Sequence, residues 1–235
     1  MIEPAKPRDW PKISEISRIS GYDDYINKIG PSYLESGLIL VWRDVKDIRG
    51  FLKIEYLSDN SAWLSGLRVD PDYRRKSIGS ELTARAIELA KNAGKEYVRM
   101  LIHDGNSKSS GLVSKLGFSS VSRFAFFKGT PLGEAIEDEV PQDRNDIRYL
   151  NLGWVFISYR FINLVSARFI RFGKIGSAVT VNGRDFQIIA PDEEIRLSGE
   201  GFTCLEVHGN IPDYLEELLD REFDYASVFE KRIQQ

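Results

Sequence analysis

The chain has 235 residues, of which 42% are hydrophobic and 29% charged, and its formal net charge is −3. This composition excludes a disordered chain, and the length is sufficient for one large domain or two small ones. The single cysteine, Cys204, excludes an internal disulfide framework and a cysteine-based zinc site. No apolar run reaches the roughly 18 residues of a membrane span, and the N-terminus is unlike a signal peptide. We therefore expect a cytoplasmic globular protein that does not act at a membrane.

The first half of the sequence alternates strands and helices in the order βααβββαβαβ. Apolar residues at helical spacing and alternating runs between polar turns provide this prediction. The expected elements are a strand at 1–4, helices at 10–19 and 22–34, strands at 38–42, 48–57 and 62–69, a helix from 78, a strand at 97–103, a helix at 107–116 and a strand at 118–127.

A basic junction connects the third of these consecutive strands to the following helix. Asp70-Pro71-Asp72 is turn chemistry that ends the strand, and Arg74, Arg75 and Lys76 follow it. The helix then begins near Ser77-Ile78-Gly79. The first turn of a helix presents free N–H groups and partial positive charge. The junction therefore predicts a binding site for an anionic group such as a pyrophosphate.

The run Arg74-Arg75-Lys76-Ser77-Ile78-Gly79 resembles the cofactor loop of the GNAT superfamily of acyl-CoA-dependent N-acetyltransferases, Arg/Gln-x-x-Gly-x-Gly/Ala. The departure is Ser77, where the family usually has glycine. Serine still supplies its N–H, and we expect its hydroxyl to cap the helix. The phosphate site is then expected to survive unless the backbone at this position needs a positive φ.

A second element strengthens the resemblance at the expected distance downstream. Asn106-Ser-Lys-Ser109 and Lys115-Leu-Gly-Phe118 are similar to the family's Asn-x-x-Ala and Lys-Leu-Gly-Phe elements. The resemblance covers about residues 1–130 and implies an α/β fold with a mixed, mostly antiparallel central sheet and helices on both faces. It implies acetyl-CoA as acyl donor, bound by Leu67, Arg68, Val69, Arg74, Arg75, Lys76, Ser77, Ile78, Gly79, Ser80, Asn106 and Ser109.

Beyond residue 130 the pattern changes. We expect a linker at 131–146 and a smaller α+β domain at 147–235, either a degenerate half copy of the same fold or a β-rich accessory domain. Asn182-Gly183 predicts a hairpin turn within it. Residues 1–130 hold 21 Lys/Arg and 16 Asp/Glu, whereas the remainder holds 11 and 19. One hypothesis is that the acidic part helps to admit a cationic amine; a structural cap or a homodimer contact is the alternative.

The family's usual acid and base are missing from the matching positions. Val113 occupies the place of the tyrosine that protonates the leaving thiolate in many members, and Trp63 occupies the place of a glutamate base. Glu55 and His103 remain as candidate catalytic residues, each with a structural role as the alternative. Sequence leaves open which neighbours share a sheet face with Glu55, because the length of the turn near Asp59-Asn60 decides it.

The function that the resemblance implies is transfer of an acetyl group from acetyl-CoA to a primary amine by direct attack. A weak or missing base favours acceptors with a low amine pKa, so a free amino acid, a small amine or a protein N-terminus is expected rather than a lysine side chain. The partner is then a small-molecule or peptide acceptor, and nucleic acid is not expected at a sequence pI of 5.6. A non-catalytic acyl-CoA sensor is the alternative function.

Overall fold

The computed structural model describes residues 1–21, 25–45, 47–138, 147–172, 176–180, 182–191, 196–209, 211 and 213–233. These residues form two compact units. The first unit contains Met1–Met100, Gly111–Phe118 and Glu230–Gln235, and the second contains Leu101–Ser110 and Ser119–Phe229. No helix among the described residues is long and apolar enough to cross a bilayer.

The described elements comprise five α-helices and fourteen strands. The helices are α1 Trp10–Ile19, α2 Tyr25–Ile29, α3 Ile78–Asn92, α4 Ser107–Lys115 and α5 Asp213–Glu216. The strands are β1 Ile2–Pro4, β2 Leu38–Arg43, β3 Ile48–Tyr56, β4 Ser61–Val69, β5 Tyr97–His103, β6 Ser119–Pro131, β7 Ala135–Asp138, β8 Tyr149–Asn151, β9 Phe156–Ser158, β10 Arg168–Phe172, β11 Gly176–Thr180, β12 Asp185–Pro191, β13 Leu197–Glu206 and β14 Tyr225–Arg232.

The sheet of the first unit has the strand order β1-β2-β3-β4-β5-β14. The pairs from β1 to β4 are antiparallel, and β4 pairs with β5 in parallel. Helices cover both faces of this sheet. Neighbouring residues of β3 show this, since successive residues of a strand point to opposite faces. Phe51 packs with Ile13 and Ile16 of α1 in one apolar cluster. The neighbouring Gly50 approaches Ile78 and Leu82 of α3.

A buried ion-pair network connects three elements of the first unit. Arg99 on β5 is 3% exposed and donates to Asp59 and, at 2.6 Å, to Oε2 of Glu230 on β14. The Ser61 hydroxyl also donates to Asp59. Two carboxylates therefore compensate one buried guanidinium, as the cost of removing a charge from water requires. The last strand of the chain contributes one of them.

The second unit has the strand order β14-β6-β13-β12-β11-β10-β7 and a separate hairpin of β8 and β9. Most pairs are antiparallel, and β12 with β13 is parallel. Its core contains Phe127, Ile188 and Leu215. The Asn182-Gly183 turn joins β11 to β12, as predicted: Gly183 has φ +72°, and Oδ1 of Asn182 accepts from the Arg184 and Asp185 N–H groups.

The predicted order of the first ten elements and the mixed, mostly antiparallel fold are confirmed. Within the predicted linker, residues 135–138 form β7, so the prediction of irregular chain was wrong there; residues 139–146 lie outside the described part. Residues 149–158 contain two short strands, β8 and β9. A domain boundary within 131–146 stays a prediction.

Candidate functional site

The three cations of the basic loop before α3 differ in the contacts that hold their side chains. Arg74 donates from Nη2 to the Ser20 carbonyl at 3.1 Å, so this side chain holds the loop against the end of α1. Lys76 lies with Nζ 4.2 Å from the centroid of the Tyr73 ring. Arg75 is exposed and has φ +62°. Arg74 therefore has a structural role, Arg75 and Lys76 lie at the surface, and binding of an anionic ligand by these cations stays a prediction.

Tyr73 is itself held by a second cation. The Arg49 guanidinium lies 4.2 Å from the ring centroid of Tyr73. Arg49 donates from Nε to Asp44 at 2.8 Å, and its Nη1 lies 3.5 Å from Oδ2 of Asp70. Asp70 also accepts from the N–H of Asp72, which stabilises the short 3₁₀ helix Pro71–Tyr73. This network fixes the turn that carries the basic loop.

Ser77 has φ +62° and ψ 0°, in the left-handed region that favours glycine. The expectation that its hydroxyl caps α3 was wrong, since its side chain makes no capping hydrogen bond. A non-glycine residue in this region costs about 1–2 kcal/mol because Cβ crowds the following carbonyl. The backbone at this position does have a positive φ, which was the exception attached to the predicted phosphate site. Serine adopts at a cost the conformation that glycine adopts freely.

The first turn of α3 packs closely behind the loop. Ile78 is buried, and a Cβ added to Gly79 would lie 3.1 Å from Leu112 Cδ1 of α4. Ser80 is half-buried. Gly79 therefore allows α4 to approach the start of α3, which explains the small residue at this place in the predicted loop pattern.

The ladder between β4 and β5 ends well before the loop. Its ladder with β5 consists of three pairs, from Ser61–Tyr97 to Trp63–Arg99, and no further pair is found among the described residues. Leu67, Arg68 and Val69, which lie beyond the end of this ladder, are half-buried. Backbone N–H and C=O groups at such an edge require hydrogen-bond partners. Binding of the cofactor by Leu67, Arg68 and Val69 stays a prediction.

A β-bulge lies on β4 beyond the end of this ladder. The register with β3 shifts between Phe51 and Lys53, and Gly66 adopts φ +62° there. A Cβ added at Gly66 would lie 2.2 Å from the Tyr33 hydroxyl and 3.4 Å from that of Tyr25. Only glycine satisfies both the backbone angle and this close approach. Two tyrosines thus cover the bulge next to the residues predicted to bind the cofactor.

Glu55 lies opposite Trp63 and on the same face of β3 as Lys53. This register resolves the open question of its neighbours, because Glu55 shares its face with Trp63 and Ser65. Its Oε2 is 2.9 Å from Nζ of Lys53, which is 9% exposed. Glu55 compensates a largely buried ammonium group, which is a structural role. It also lines a surface depression with Ser36–Leu38 and Ile54–Leu57.

The residues at the family's usual acid and base positions belong to the core. Val113 and Trp63 are each 2% exposed. Neither side chain carries an ionisable group, so neither transfers a proton. Tyr56 is 46% exposed, and burial of part of its ring raises the pKa of its hydroxyl.

His103 lies in the second unit at the end of β5. Its Nε2 is 3.0 Å from Oδ1 of Asp224, and its ring centroid is 5.1 Å from that of Phe223. In the same unit, Oδ1 of Asn106 accepts from the Ser109 N–H at 3.1 Å. Asn106 therefore caps the start of α4. Cofactor binding by Asn106 and Ser109 stays a prediction.

Sequence reasoning missed three residues that shape these regions: Gly66, Tyr33 and Asp224. Gly66 sits inside a predicted strand, where an isolated glycine is typical of a bulge, so that pattern was available. Tyr33 and Asp224 had no local pattern. Asp224 lies 121 residues from His103 in sequence, and only the tertiary structure brings the two together.

Comparisons with known proteins agree with these observations. Residues 5–118 match the model of the acetyltransferase (GNAT) family. None of the curated protein sequences matches the chain significantly. A crystal structure of a candidate acetyltransferase from Thermoplasma acidophilum is 18% identical, with a TM-score of 0.63 and coverage of 99% of this chain and 100% of that chain. Another from Pyrococcus horikoshii is 17% identical, with a TM-score of 0.58 and coverage of 100% and 89%. At these identities the two structures show a shared fold alone.

Proposed function

The chain carries a GNAT acetyltransferase domain in residues 5–118, a family whose acyl donor is acetyl-CoA, and from this premise we propose that it acetylates a primary α-amine by direct attack. The observation that carries the proposal is the end of the β4–β5 ladder before the exposed cations at the start of α3. One extended ligand with an amide-containing arm and a pyrophosphate matches both features. The α-amine of a free amino acid, a small amine or a protein N-terminus is the acceptor.

The pyrophosphate is assigned to the N–H groups of residues 74–79, with Arg75 and Lys76 as the surface cations that assist. Charge and free N–H groups at a helix start bind phosphate together. The pantetheine arm is assigned to the backbone of Leu67–Val69, where it takes the place of the missing β5 ladder. An N–H of this segment polarises the thioester carbonyl, and fixed geometry lowers the barrier by holding the reactants together.

Direct transfer, without an acyl-enzyme, is supported by the state of the only cysteine. Cys204 is 1% exposed, and burial raises the pKa of its thiol to about 12. The thiolate is the nucleophilic form of cysteine, so a buried thiol with this pKa is inert near neutral pH. Cys204→Ser is expected to retain activity, and an acetyl group trapped on the wild-type thiol would contradict direct transfer.

The preference for an α-amine rests on the proton that must leave the acceptor. A lysine amine with a pKa of about 10.4 needs roughly 3–4 kcal/mol more than an α-amine to become neutral near pH 7.5. The candidate base Glu55 is already paired with Lys53 at 2.9 Å. No carboxylate at the position of Trp63 offsets this cost, which favours acceptors that lose their proton easily.

The binding step is tested by titrating the protein with coenzyme A at two salt concentrations. Arg75→Gln is expected to weaken binding by about two- to fivefold, since an exposed charge contact is worth about 0.2–1 kcal/mol. Arg85→Gln is the matched control, because Arg85 lies on the same helix and pairs with Glu88. Affinity that is insensitive to salt and equal in both variants would contradict the assigned phosphate site.

The acceptor is tested by turnover of acetyl-CoA with paired amines. Free amino acids and a peptide with a free N-terminus are compared with Nα-acetyl-lysine at equal concentration. We expect faster turnover with the α-amines, and faster acetylation of the lysine side chain would overturn the acceptor assignment.

The second candidate function is a non-catalytic acyl-CoA sensor, which the buried Val113 and Trp63 favour. Both functions require coenzyme A binding, so turnover separates them. Tight binding of acetyl-CoA without turnover of any amine would support the sensor.

A further inference from the structure

A surface depression of about 320 Å³ lies in the first unit, where the ladder between β2 and β3 ends. Leu38–Ile54 is the last pair at this end of the ladder, whereas β3 continues to Tyr56. The depression is lined by residues 36–38 and 54–57. Its volume is at the lower end of the range of small-molecule sites in proteins, so it suits a small ligand.

An ion pair lies beside this depression. Oε2 of Glu55 is 2.9 Å from Nζ of Lys53, and the Glu55 side chain is 24% exposed. Gly37, which lines the depression, lies directly against both side chains. A Cβ added to Gly37 would be 3.0 Å from Cγ of Glu55 and 3.1 Å from Cε of Lys53. A negative and a positive group therefore stand together at the wall of the depression.

The Lys53 ammonium group has capacity for a second acceptor. An ammonium group carries three hydrogens for hydrogen bonding. Among the described residues, its contacts are the Glu55 carboxylate and the Tyr33 ring, whose centroid is 5.5 Å from Nζ. Lys53 is 9% exposed, and a buried charge is costly unless it is well paired. An additional anionic acceptor would therefore stabilise this ammonium group.

The backbone of Tyr56 borders the same depression. The Leu57 N–H donates to the Ser61 carbonyl at 2.9 Å, on the β4 side of β3. Hydrogen-bonded and non-bonded pairs alternate along an antiparallel ladder, so the N–H and C=O of Tyr56 point away from β4, to where β2 would continue. In the described part of the chain, no backbone hydrogen bond joins them to the residues before Leu38. Tyr56 therefore offers a neutral donor and a neutral acceptor to a ligand.

We propose that this depression binds the zwitterion of a free α-amino acid with an apolar side chain. Glu55 accepts hydrogen bonds from the ammonium group of the ligand, and Lys53 and the Tyr56 N–H donate to its carboxylate. The half-buried Leu38 and Leu57 supply apolar surface for its side chain.

The class of ligand follows from charge balance. Glu55 and Lys53 compensate each other while the depression is empty. A ligand with one charge would pair with one of them and leave the other without compensation, which is costly for a group withdrawn from water. A zwitterion pairs with both at once. The ion pair therefore selects for a ligand that carries both charges close together.

This site is separate from the proposed transfer chemistry. Glu55 lies opposite Trp63 on β4. At about 3.3 Å per residue, Trp63 is roughly 13 Å from Leu67, the first residue assigned to the pantetheine arm. A ligand of the size of one amino acid at Glu55 does not reach that segment. The inference therefore goes beyond the proposed function and does not depend on it.

The test is a titration of the full-length protein with L-leucine, followed by the ¹H–¹⁵N shifts of its amide groups. Shifts of residues 36–38 and 54–57 are expected to change together and to saturate. L-leucine methyl ester lacks the carboxylate charge, and 4-methylpentanoate lacks the ammonium group. Each is expected to bind at least about tenfold more weakly than L-leucine, the effect of losing one charge-assisted hydrogen bond.

A double variant tests the ion pair itself. Lys53→Met combined with Glu55→Gln removes both charges, so neither is left buried without its partner. Its affinity for L-leucine is expected to fall at least about tenfold. Arg85→Met combined with Glu88→Gln is the matched control, because it removes an exposed ion pair on α3. The control is expected to bind L-leucine as the wild type does.

Three results would overturn the site: equal affinity for L-leucine and either analogue, saturable shifts that leave residues 36–38 and 54–57 unchanged, or wild-type affinity in the Lys53→Met, Glu55→Gln variant. The three-ligand comparison in the wild-type protein decides the question even if that variant does not fold. Acetyl transfer is measured separately. If no amine is acetylated, the proposed function fails, while selective L-leucine shifts at residues 36–38 and 54–57 still support the site.

Discussion

Asp9 in the first unit and Glu206 in the second are almost equally withdrawn from water, at 6% and 8% exposure, yet their pKa values shift in opposite directions. Burial opposes ionisation of Asp9, but the Lys6 N–H and the Arg43 guanidinium, each at 2.9 Å, outweigh it and lower its pKa. Burial dominates for Glu206 and raises its pKa, despite hydrogen bonds from Ser122 and the Arg148 and Tyr149 N–H groups.

Two differences separate these groups: Glu206 lies deeper among protein atoms than Asp9, and its hydrogen-bond donors carry no charge. A guanidinium stabilises the charged form of a carboxylate directly, whereas neutral donors only replace part of the lost hydration. In the first unit the buried carboxylates Asp9 and Asp59 have arginine partners. Glu206 in the second unit is held by a hydroxyl and two backbone groups. The two units therefore respond differently to loss of a partner and to pH.

Removal of the Arg99 guanidinium is expected to lower the free energy of unfolding more than any of the other substitutions. Arg99→Met leaves Asp59 buried without its cation and should lower the free energy of unfolding by about 3–5 kcal/mol, the cost of breaking a buried pair. Urea denaturation measures the loss. Arg85→Met on the exposed face of α3 is the control, and its ion pair with Glu88 is expected to contribute less than about 1 kcal/mol. Equal losses of unfolding free energy in Arg99→Met and Arg85→Met would contradict the special cost assigned to the buried pair.

Asp9→Asn is expected to cost about 1.5–3 kcal/mol near neutral pH, because it removes the charge from two hydrogen bonds. The folded pKa of Asp9 lies below its ordinary value of 3.8, so its stabilisation is present above that pH and is lost as pH falls through the folded pKa. The difference between wild type and variant in urea denaturation should therefore vanish in acid. Glu15→Gln, which alters a half-buried pair with Lys12, serves as the control.

Ser122→Ala tests the neutral donors of the second unit. The variant removes the hydroxyl that donates to the Glu206 carboxylate, and a net loss of about 1.5–3 kcal/mol is expected where that carboxylate is charged. Loss of this donor also raises the pKa of Glu206 further. A loss as large as that of Arg99→Met would show that the charge of the partner does not decide the cost.

Glu206→Gln is expected to have the smallest effect at low pH, because the amide can accept from the two N–H groups and donate to Ser122. The raised pKa means that folding of the wild type becomes less favourable as pH rises from the ordinary value of 4.5 through the folded pKa. The variant should therefore gain stability relative to wild type over that window. Glu200→Gln, at an exposed position on the same strand, is the control. If the variant instead gained stability relative to wild type as the pH was lowered, the raised pKa assigned to Glu206 would be wrong.

Local patterns predicted the first unit better than the second. The turn at Asp70-Pro71, the basic loop and the apolar spacing of α3 each lie within a few residues, so sequence contains them fully. The left-handed backbone of Ser77 was not predictable from serine itself. Strand β7 was missed because Glu134–Asp138 is acidic and has little apolar alternation, although it pairs with β10 in the structure.

The candidate site shows the same limit for distant partners. The pairing of Glu55 with Lys53 depended on a turn length that sequence left open, and the pairing of His103 with Asp224 crosses 121 residues. The place of the final strand beside β5 follows from pairing that no local pattern encodes.

The position of Glu230 also has a consequence for the order of events during synthesis. The buried network of Arg99 is complete only after Glu230, 131 residues later in the chain, has been synthesised. Closing so long a loop costs entropy that local contacts do not repay, and such topologies fold slowly. On a ribosome, the family-matched residues would emerge well before their last strand. During this interval the sheet of the nascent chain lacks its last strand, and Arg99 lacks one of its two carboxylate partners. This state favours engagement by chaperones over early folding.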